Sequence, residues 1–405
     1  MHAPAVILLV LAPSLAACGP SDTSAAGRWH GSIDTLPSGA VTVTNPATGM
    51  WDEGGAPWSV ELVTRIGSLD EEGPAMLGNV AVIEVDGEGR VWILESQAQE
   101  LRVFDRDGNH VRTIGRKGQG PGEFNQVNGM AWAPDGHLWV VDPSNNRISV
   151  IDTAGSFVES HPTAGGFVIF PWRGGFDDQG FFYTYLPMAG EGFRFGLVKL
   201  DAALQPVDTI IPPQSESEGE FFELRSGDGW MRAGVPFTPG LEWQRARNGN
   251  IWFALTGEYR LGELTQAGDT LRIITREFDR LPVTAADVDG AIADLEWFTS
   301  QGGKIDRSKF PGTKPAIERF FLDDGGNVWV IPVVEGGDRE RGDTWDIFDP
   351  AGRYLGRLTT PVVINSFPPP VFRRGMIYAV SRDELDVPYV VVLRVDTEGK
   401  QNRET

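Results

Sequence analysis

One short pattern recurs along the chain: a glycine, any residue, an apolar residue, and then tryptophan or tyrosine. The glycines of this pattern are Gly89, Gly136, Gly180, Gly249, Gly326 and Gly375. Successive glycines are 47, 44, 69, 77 and 49 residues apart. Three of these intervals match the length of one four-stranded repeat, and the two longer ones fit the same repeat carrying an insertion. The pattern therefore predicts six equivalent units.

Further turn residues join strand-like runs within these units. In the first unit, Leu101–Phe104 and Val111–Ile114 flank the turn sequence Asp105–Gly108, and equivalent turns occur at 152–155 and 349–352. Two hairpins make one four-stranded antiparallel sheet. The edges of such sheets invite aggregation, and a radial arrangement of six sheets hides most of them. We therefore predict an all-β fold, a six-bladed β-propeller that occupies residues 59–405.

The ends of the repeat region predict how the ring closes. The last unit has strands near 370–373, 376–380 and 389–395, but no fourth strand follows them. Val60–Ile66 precedes the first complete unit and ends in Arg65-Ile66-Gly67, much as Thr113-Ile114-Gly115 precedes the second unit. We expect this N-terminal strand to pair with the last unit and complete its sheet.

The chain begins with a targeting segment. Ala5–Ala12 is apolar but too short to span a bilayer, and Leu15-Ala16-Ala17 precedes the single cysteine, Cys18. This arrangement resembles the bacterial lipobox, in which cleavage leaves a lipid-bearing cysteine at the new N-terminus. We therefore expect residues 1–17 to be a lipoprotein signal peptide and Cys18 to be lipidated, in a bacterial cell envelope protein, either periplasmic or at the cell surface. The alternative is an ordinary secretory signal. Residues 18–58, rich in Gly, Pro, Ser and Thr, are expected to form a tether, with a small hairpin within 32–45.

Two segments carry the resemblance to a known repeat. Pro134–Asp142 with the following Asn145-Asn146-Arg147-Ile148, and the linker Ile114–Phe124, are similar to the NHL repeat. The match covers about two units, and the other four keep only the turn glycine and the aromatic residue. Together with the lipobox and the tether, the chain looks like the six-bladed propeller lipoproteins of environmental bacteria. The resemblance implies the fold, while the roles of those proteins are mostly unassigned.

Composition excludes several classes of function. The formal net charge of −21 disfavours nucleic acid, because phosphate binding requires clustered Lys and Arg. A lone cysteine forms no internal disulfide and no paired-cysteine zinc motif. The chain has five histidines, and we place only His161 near the mouth of the channel. This scarcity argues against a three-histidine metal site and against a Ser-His-Asp triad. No P-loop, His-Glu-x-x-His or Gly-x-Ser-x-Gly motif occurs.

The long connections of the chain predict where a ligand would bind. The insertions 211–247 and 279–318 join successive blades, and such connections share one face of a propeller with the links between second and third strands. Loops of this length usually carry function, and plugging of the channel is the structural alternative. The candidate ligand-binding residues on this face are Arg116, Lys117, Glu123, Asn125, Asn128, Arg232 and Trp243.

Aromatic and basic residues outside the repeat pattern are further candidates for this face. The tryptophans are Trp172, Trp230, Trp243 and Trp297, and the nearby arginines are Arg232, Arg245 and Arg247. They could stack on a sugar or a peptide, or they could pack the insertions onto the ring. Asp142 and Arg147 are expected to hold a strand junction together, as in NHL repeats.

The second insertion allows two interpretations. Thr284 and Asp287 fit a capping box that opens a short helix. The same stretch partly matches a calcium loop, but Ala285 stands where a carboxylate is needed. We expect no evident cofactor, with calcium as the one ion to test.

The sequence leaves three hypotheses for function. The leading one is an envelope-anchored propeller that binds a protein, peptide or glycan through its loop-rich face, without a catalytic residue. The second is a metal-dependent hydrolase or lyase with its site in the mouth of the channel, since similar six-bladed enzymes hold a calcium-like ion there. The third is a purely structural envelope component.

Overall fold

The computed structural model describes residues 27–68, 73–163, 172–188, 195–214, 220–226, 229–335 and 342–397. The signal peptide, Cys18 and the first part of the expected tether lie outside these ranges. So do residues 215–219 and 227–228 of the first insertion. No helix in the described ranges has both the length and the hydropathy required to cross a membrane.

The strands follow the chain in the order below. The N-terminal strands are β1 (Ser32–Thr35), β2 (Val41–Asn45) and β3 (Ser59–Ile66). The first two blades are β4 (Val80–Val85), β5 (Val91–Glu95), β6 (Glu100–Phe104), β7 (His110–Ile114), then β8 (Gly129–Trp132), β9 (Leu138–Asp142), β10 (Arg147–Ile151) and β11 (Phe157–Pro162). The third blade is β12 (Gly175–Phe176), β13 (Phe182–Pro187), β14 (Phe195–Leu200) and β15 (Pro206–Ile210).

The second half of the chain contains the insertions and three more blades. The first insertion carries β16 (Phe221–Ser226) and β17 (Gly229–Gly234). The fourth blade is β18 (Leu241–Arg245), β19 (Ile251–Leu255), β20 (Arg260–Leu264) and β21 (Thr270–Arg276). The second insertion carries helices α1 (Ala285–Asp294) and α2 (Glu296–Thr299), and the fifth blade is β22 (Ile317–Leu322), β23 (Val328–Pro332), β24 (Thr344–Phe348) and β25 (Tyr354–Thr359). The last strands are β26 (Val371–Arg373), β27 (Met376–Arg382) and β28 (Pro388–Asp396), and the two 3₁₀ turns are Pro143–Asn145 and Arg307–Lys309.

These strands form six antiparallel blades arranged in a ring. Strand order within each blade follows the chain, and the last blade has the order β26-β27-β28-β3. First strands of neighbouring blades contact one another, as β4 does with β8 and with β26. Six separate hydrophobic clusters fill the spaces between successive blades. The protein is a six-bladed β-propeller, as the repeat predicts.

Strand β3 supplies the fourth strand of the last blade. It pairs antiparallel with β28, with Ile66 opposite Val390 and Ser59 opposite Asp396. The pairing joins the two ends of the ring, and Ile66 is buried in the cluster between the last and the first blade. The last sheet is thereby completed by a strand from the other end of the chain.

The repeated glycine and aromatic residue have a common physical role. All six glycines adopt φ between 71° and 86°, a region that residues with a Cβ rarely enter. In the first blade, the turn carboxylate of Asp86 accepts a hydrogen bond from the indole nitrogen of Trp92 (3.0 Å). Asp177 with Tyr183 and Asp323 with Trp329 repeat this contact at 2.9 and 3.0 Å. In these three blades, the aromatic residue therefore uses its polar N–H or O–H to bind the turn that precedes it.

The segment expected to be a tether packs, from residue 27 onward, along the outside of the ring. Strand β2 pairs in parallel with β21, the outer strand of the fourth blade. The backbone N–H of Trp51 then donates to Leu355 of the fifth blade (2.7 Å), and its indole is buried. Burial of Val43 and Trp51 explains why this Gly- and Pro-rich stretch is ordered. It also covers exposed sheet edges before the chain enters the last blade as β3.

The two insertions pack against each other. Phe222, Ala233 and Val235 of the first insertion share a small buried core with Phe298 of the second. The first insertion is shorter than expected, because β18 begins at Leu241 and residues 241–245 belong to the fourth blade.

The stretch with a partial calcium-loop match is helical. Thr284 caps α1: its side chain accepts from the Asp287 backbone, and the Asp287 carboxylate accepts from the Thr284 backbone (2.8 Å). The Lys314 ammonium also binds the Asp287 carboxylate (2.6 Å). This bond, together with those from Thr284, lowers the pKa of Asp287 to about 2. The carboxylate that the loop match assigns to an ion is therefore used in capping and in an ion pair.

Candidate functional site

The largest cavity that we describe lies along the central channel and has a volume of about 780 Å³. Its walls come from the innermost strands of five blades, β4, β8, β12, β18 and β26, with the segment that precedes β26. Its outer end is lined by the turns between first and second strands, including residues 86–88 and 177–178, and by Thr153. The cavity therefore opens on the hairpin-turn face, opposite the face on which the sequence predicts the site.

Trp172 lines the other end of this cavity. Its indole occupies the space next to β8, where a side chain on Gly129 would lie 2.1 Å from the ring. A side chain on Gly174 would lie 2.2 Å from the same ring. The two glycines thus let a large aromatic residue reach the channel from the connection that precedes β12.

Glu84, on β4, is the titratable group of the channel with the most altered acidity. Burial raises the pKa of its carboxyl from 4.5 to about 7, although Arg373, the backbone N–H of Val85 and Arg247 act in the opposite direction. A carboxyl with this pKa is present in both protonation states near neutral pH. It can therefore donate or accept a hydrogen bond, and it can transfer a proton.

Arginines from other blades line the same cavity. Arg373, at the end of β26, donates to the carbonyl oxygen of Val85 (2.6 Å). Arg245, at the end of β18, donates to the carbonyl oxygens of Gly174 (3.3 Å) and Phe176 (3.2 Å) and lies 4.5 Å from the centre of the Tyr183 ring. Burial lowers the pKa of Arg245, but a guanidinium stays positive at neutral pH. These bonds join neighbouring blades, the sixth to the first and the fourth to the third, and fix positive charge in the wall of the cavity.

The other carboxylates of the cavity are committed to local contacts. Asp86 accepts from the backbone of Glu88 and Arg90 (2.9 Å each) and from the Arg90 side chain (2.6 Å). Although burial raises its pKa, the bonds from Trp92 and Arg90 lower it below the usual value. Asp178 pairs with Arg247 at 3.2 Å. Glu84, by contrast, has a pKa of about 7, so its charge changes near neutral pH.

Most of the residues that the sequence selects lie in the linker between the first two blades. Glu123 pairs with Arg116 (2.7 Å) and accepts from the Gly120 backbone (2.8 Å), and Lys117 lies in a backbone bridge with Phe124. The backbone of Asn125 donates to Asp142 (2.9 Å), and Asn128 is buried beside β9. These residues do not line the channel cavity.

Asp142 and Arg147 hold this linker to the second blade. Asp142 accepts from the side chain of Asn145 (2.7 Å), and Arg147 donates to the carbonyl oxygens of Gly120 and Glu123 (2.6 Å each). Both residues therefore hold a strand junction, the role that the NHL resemblance implies. His161, expected near the mouth, lies instead on the outer strand β11 and stacks on Trp139 (5.2 Å between ring centres).

Trp243 and Arg232, the last two residues that the sequence predicts as ligand-binding, lie apart from each other. Trp243 is buried between the third and fourth blades, with the Arg173 guanidinium 4.5 Å from its ring centre. Arg232 lies on β17 in the first insertion, where it pairs with Glu223 (2.8 Å). Trp243 is therefore a packing residue, and Arg232 belongs to a separate cleft on the loop face.

Although Arg245 was among the sequence candidates, for the opposite face, the sequence missed Glu84 and Arg373. Each is a single charged residue in a short inner strand of a different blade, so no local spacing connects them. Alignment of the six units on their turn glycines places Arg245 four residues and Arg373 two residues before the glycine, so the repeat does not connect them either. Within the described ranges, no group of three His, Cys, Asp or Glu side chains could hold a metal ion.

Comparisons with known proteins agree with the fold and add no activity. Residues 72–164 match a family described as a 6-bladed beta-propeller. No curated protein is significantly similar in sequence.

Several solved structures are similar to this chain at low identity. A Bacteroides fragilis protein described as exported is 12% identical, with 88% of this chain and 99% of that chain covered at a TM-score of 0.49. Virginiamycin B lyase from Staphylococcus aureus, solved as an inactive variant with quinupristin, is 13% identical. The match covers 83% of this chain and 99% of that chain at a TM-score of 0.43. A gluconolactonase from Xanthomonas campestris is 13% identical, and the match covers 78% of this chain and 87% of that chain at a TM-score of 0.39. Activities of these proteins are not transferred to this chain at such similarity.

Proposed function

We propose that this propeller is a binding protein of the bacterial cell envelope and that its central channel receives part of a peptide or glycan. The observation that carries the proposal is the 780 Å³ cavity, with Glu84 and the arginines Arg245 and Arg373 in its wall. Binding sites for small ligands usually have volumes of about 300–1,000 Å³ and place a few polar groups in a concave surface. The proposal keeps the ligand classes expected from the sequence and moves their entry to the hairpin-turn face.

The charged groups favour a ligand that carries both hydrogen-bond donors and acceptors. Guanidinium groups bind carboxylate and hydroxyl oxygens, while the Glu84 carboxyl accepts from amides, amines or hydroxyls when ionised. Peptides and glycans both offer these groups. A net charge of −21 makes nucleic acid an unfavourable partner.

Envelope location and lipid attachment remain part of the proposal. They rest on the lipobox-like sequence before Cys18. In this proposal, the lipid is the only contact with the membrane, and the propeller faces the periplasm or the exterior. Cys18→Ser is expected to release the protein from membranes, and unchanged membrane association would contradict the assignment.

Binding is tested with peptide and glycan arrays, followed by calorimetric titration of each ligand found. We expect Glu84→Gln to weaken binding about tenfold or more, because it removes a charge inside a poorly solvated channel. Glu384→Gln is the matched control, since Glu384 is exposed in the turn between β27 and β28 and does not line the cavity. Ligands that bind both variants equally would not occupy the channel.

A second candidate function is acid–base catalysis, as a hydrolase or lyase. A carboxyl with a pKa of about 7 is suited to proton transfer at neutral pH. Loss of a turnover activity in Glu84→Gln, with ligand still bound, would favour an enzyme. The metal-dependent form of this candidate is tested by metal analysis of the purified protein, where a stoichiometric divalent ion would support it.

A further inference from the structure

The loop face carries a second cleft, between the hairpin β16–β17 and the segment that follows α2. It has a volume of about 340 Å³ and is lined by Phe221, Phe222, Glu223, Arg232, Lys304, Asp306 and Lys309. Phe222 and Phe298 fix the two walls to each other through the small core that the insertions share. The cleft is therefore formed by two packed elements from different insertions.

An exposed tryptophan lies beside this cleft. Trp230, on β17, keeps 66% of its surface exposed. The Arg232 guanidinium lies 4.4 Å from the centre of its ring and 5.4 Å from the centre of the Phe221 ring. Glu223 holds Arg232 in this position through a 2.8 Å ion pair. The exposed part of the indole thus forms a flat apolar surface, and its orientation is set by charged neighbours.

The charge of the cleft is opposite to that of the protein. Three cations, Arg232, Lys304 and Lys309, line it together with two carboxylates. Glu223 is paired with Arg232, and Asp306 accepts from the backbone (2.9 Å) and hydroxyl (2.6 Å) of Ser308.

The two lysines differ in their contacts. The Lys309 ammonium donates to the carbonyl oxygen of Phe221 (2.9 Å), so it is held at the rim. Lys304 is exposed and makes no ion pair or hydrogen bond with any described residue. On a chain with a net charge of −21, the lining of this cleft has three cations and two carboxylates, and an excess of positive charge attracts an anionic group.

We propose that this cleft binds an acidic carbohydrate of the uronic acid class. One sugar ring would stack on the exposed indole of Trp230, since the apolar face of a sugar fits a flat aromatic surface. The sugar carboxylate would pair with Lys304 and Lys309. The volume suits roughly one or two sugar rings. This site lies on the face opposite the channel opening, and its ligand is independent of the one proposed there.

The proposal is tested by calorimetric titration of the full-length protein with trigalacturonate and with the neutral trisaccharide galactotriose. We expect trigalacturonate to bind and galactotriose to bind about tenfold more weakly or worse, because the neutral sugar lacks the carboxylates. Added salt should weaken the binding of trigalacturonate, since exposed charges are screened. Equal binding of the two sugars, or no binding of trigalacturonate, would overturn the proposal.

Four variants locate the bound sugar. Trp230→Ala and Lys304→Ala should each weaken trigalacturonate binding about tenfold, the range of one stacking or charged contact. Trp297→Ala and Arg307→Ala are matched controls, because both residues are exposed in the second insertion but do not line the cleft. Equal losses in the controls would show that the sugar binds elsewhere on the insertions.

Two further measurements separate this site from other surfaces. Glu84→Gln should leave trigalacturonate binding unchanged, and loss of binding would place the sugar in the channel and overturn the cleft proposal. Vesicles that contain anionic phospholipid should not compete with trigalacturonate. Competition by such vesicles, abolished in Trp230→Ala, would assign the cleft to lipid headgroups instead.

Discussion

Asn45 provides the sharpest test of the way the N-terminal segment packs on the ring. Its side chain is buried and makes four hydrogen bonds. The side-chain oxygen accepts from the Trp29 indole (2.9 Å) and from the Tyr354 backbone (2.7 Å). The side-chain nitrogen donates to the carbonyl oxygens of Thr275 (3.1 Å) and Gly352 (3.0 Å). One side chain thus joins the N-terminal segment to the fourth and the fifth blade.

Asn45→Ala should lower the free energy of unfolding by about 3 kcal/mol. Each hydrogen bond contributes about 1 kcal/mol, and buried partners left unpaired add to the loss. The Trp29 indole is only half-buried and regains a bond to water, so its contribution is smaller. Urea unfolding followed by tryptophan fluorescence measures the difference, with the midpoint expected to move to lower urea by about 1 M.

Thr44→Ala is the matched control for this measurement. Thr44 precedes Asn45 on the same strand, and its side chain is exposed. We expect this variant to change stability by less than about 0.5 kcal/mol. If both variants unfold at the same urea concentration, residues 27–58 do not pack on the propeller as described.

Three other perturbations have outcomes set by the structure. The native pKa of Glu84 is raised, so wild-type stability should fall as pH rises from about 4.5 to about 7. Glu84→Gln should therefore be more stable than the wild type at pH 8 and nearly equal to it in stability at pH 5. If the urea midpoints of the two proteins differ by the same amount at both pH values, the reasoning is wrong. Asp346→Ala should lower the free energy of unfolding by about 3–5 kcal/mol, because it removes the carboxylate that pairs with the buried Arg276 guanidinium at 2.9 Å. Thermal or urea unfolding measures the difference, and a loss below about 1 kcal/mol would contradict the prediction. Thr284→Ala should lower the free energy of unfolding by about 1 kcal/mol and speed hydrogen exchange in α1, because it removes the helix cap. Added calcium should leave hydrogen exchange in α1 unchanged. Slower exchange in the presence of calcium would instead support an ion site there.

The propeller itself could be predicted from the sequence because each blade repeats the same local chemistry. A turn that needs a glycine with positive φ, followed by a buried aromatic residue, leaves a signal at one fixed spacing. The insertions are visible as extra length between these signals. The strand that completes the last blade is predictable from the missing fourth strand, since a blade requires four.

The packing of residues 27–58 could not be predicted in the same way. Strands β1 and β2 are short and polar, and their partner β21 lies more than two hundred residues away in the sequence. The Gly and Pro content of the segment suggests a flexible tether, and only the tertiary contacts of Val43, Asn45 and Trp51 order it. Local composition does not encode such contacts.

The channel site is hidden from sequence for a related reason. Glu84 and Arg373 lie almost three hundred residues apart, and each is one charged residue in an otherwise ordinary strand. Radial symmetry brings the ends of all first strands to one axis, where single residues from separate blades combine. The site was predicted on the opposite face because the long connections lie there. Two of these connections, the insertions, form the second cleft on that face.

A crystal structure of the protein with the strongest peptide or glycan from the array screen that does not compete with trigalacturonate tests the account most directly. We predict ligand density in the central channel, within hydrogen-bonding distance of Glu84 and entered from the hairpin-turn face. Density confined to the loop face, with the channel free of ligand, would contradict it.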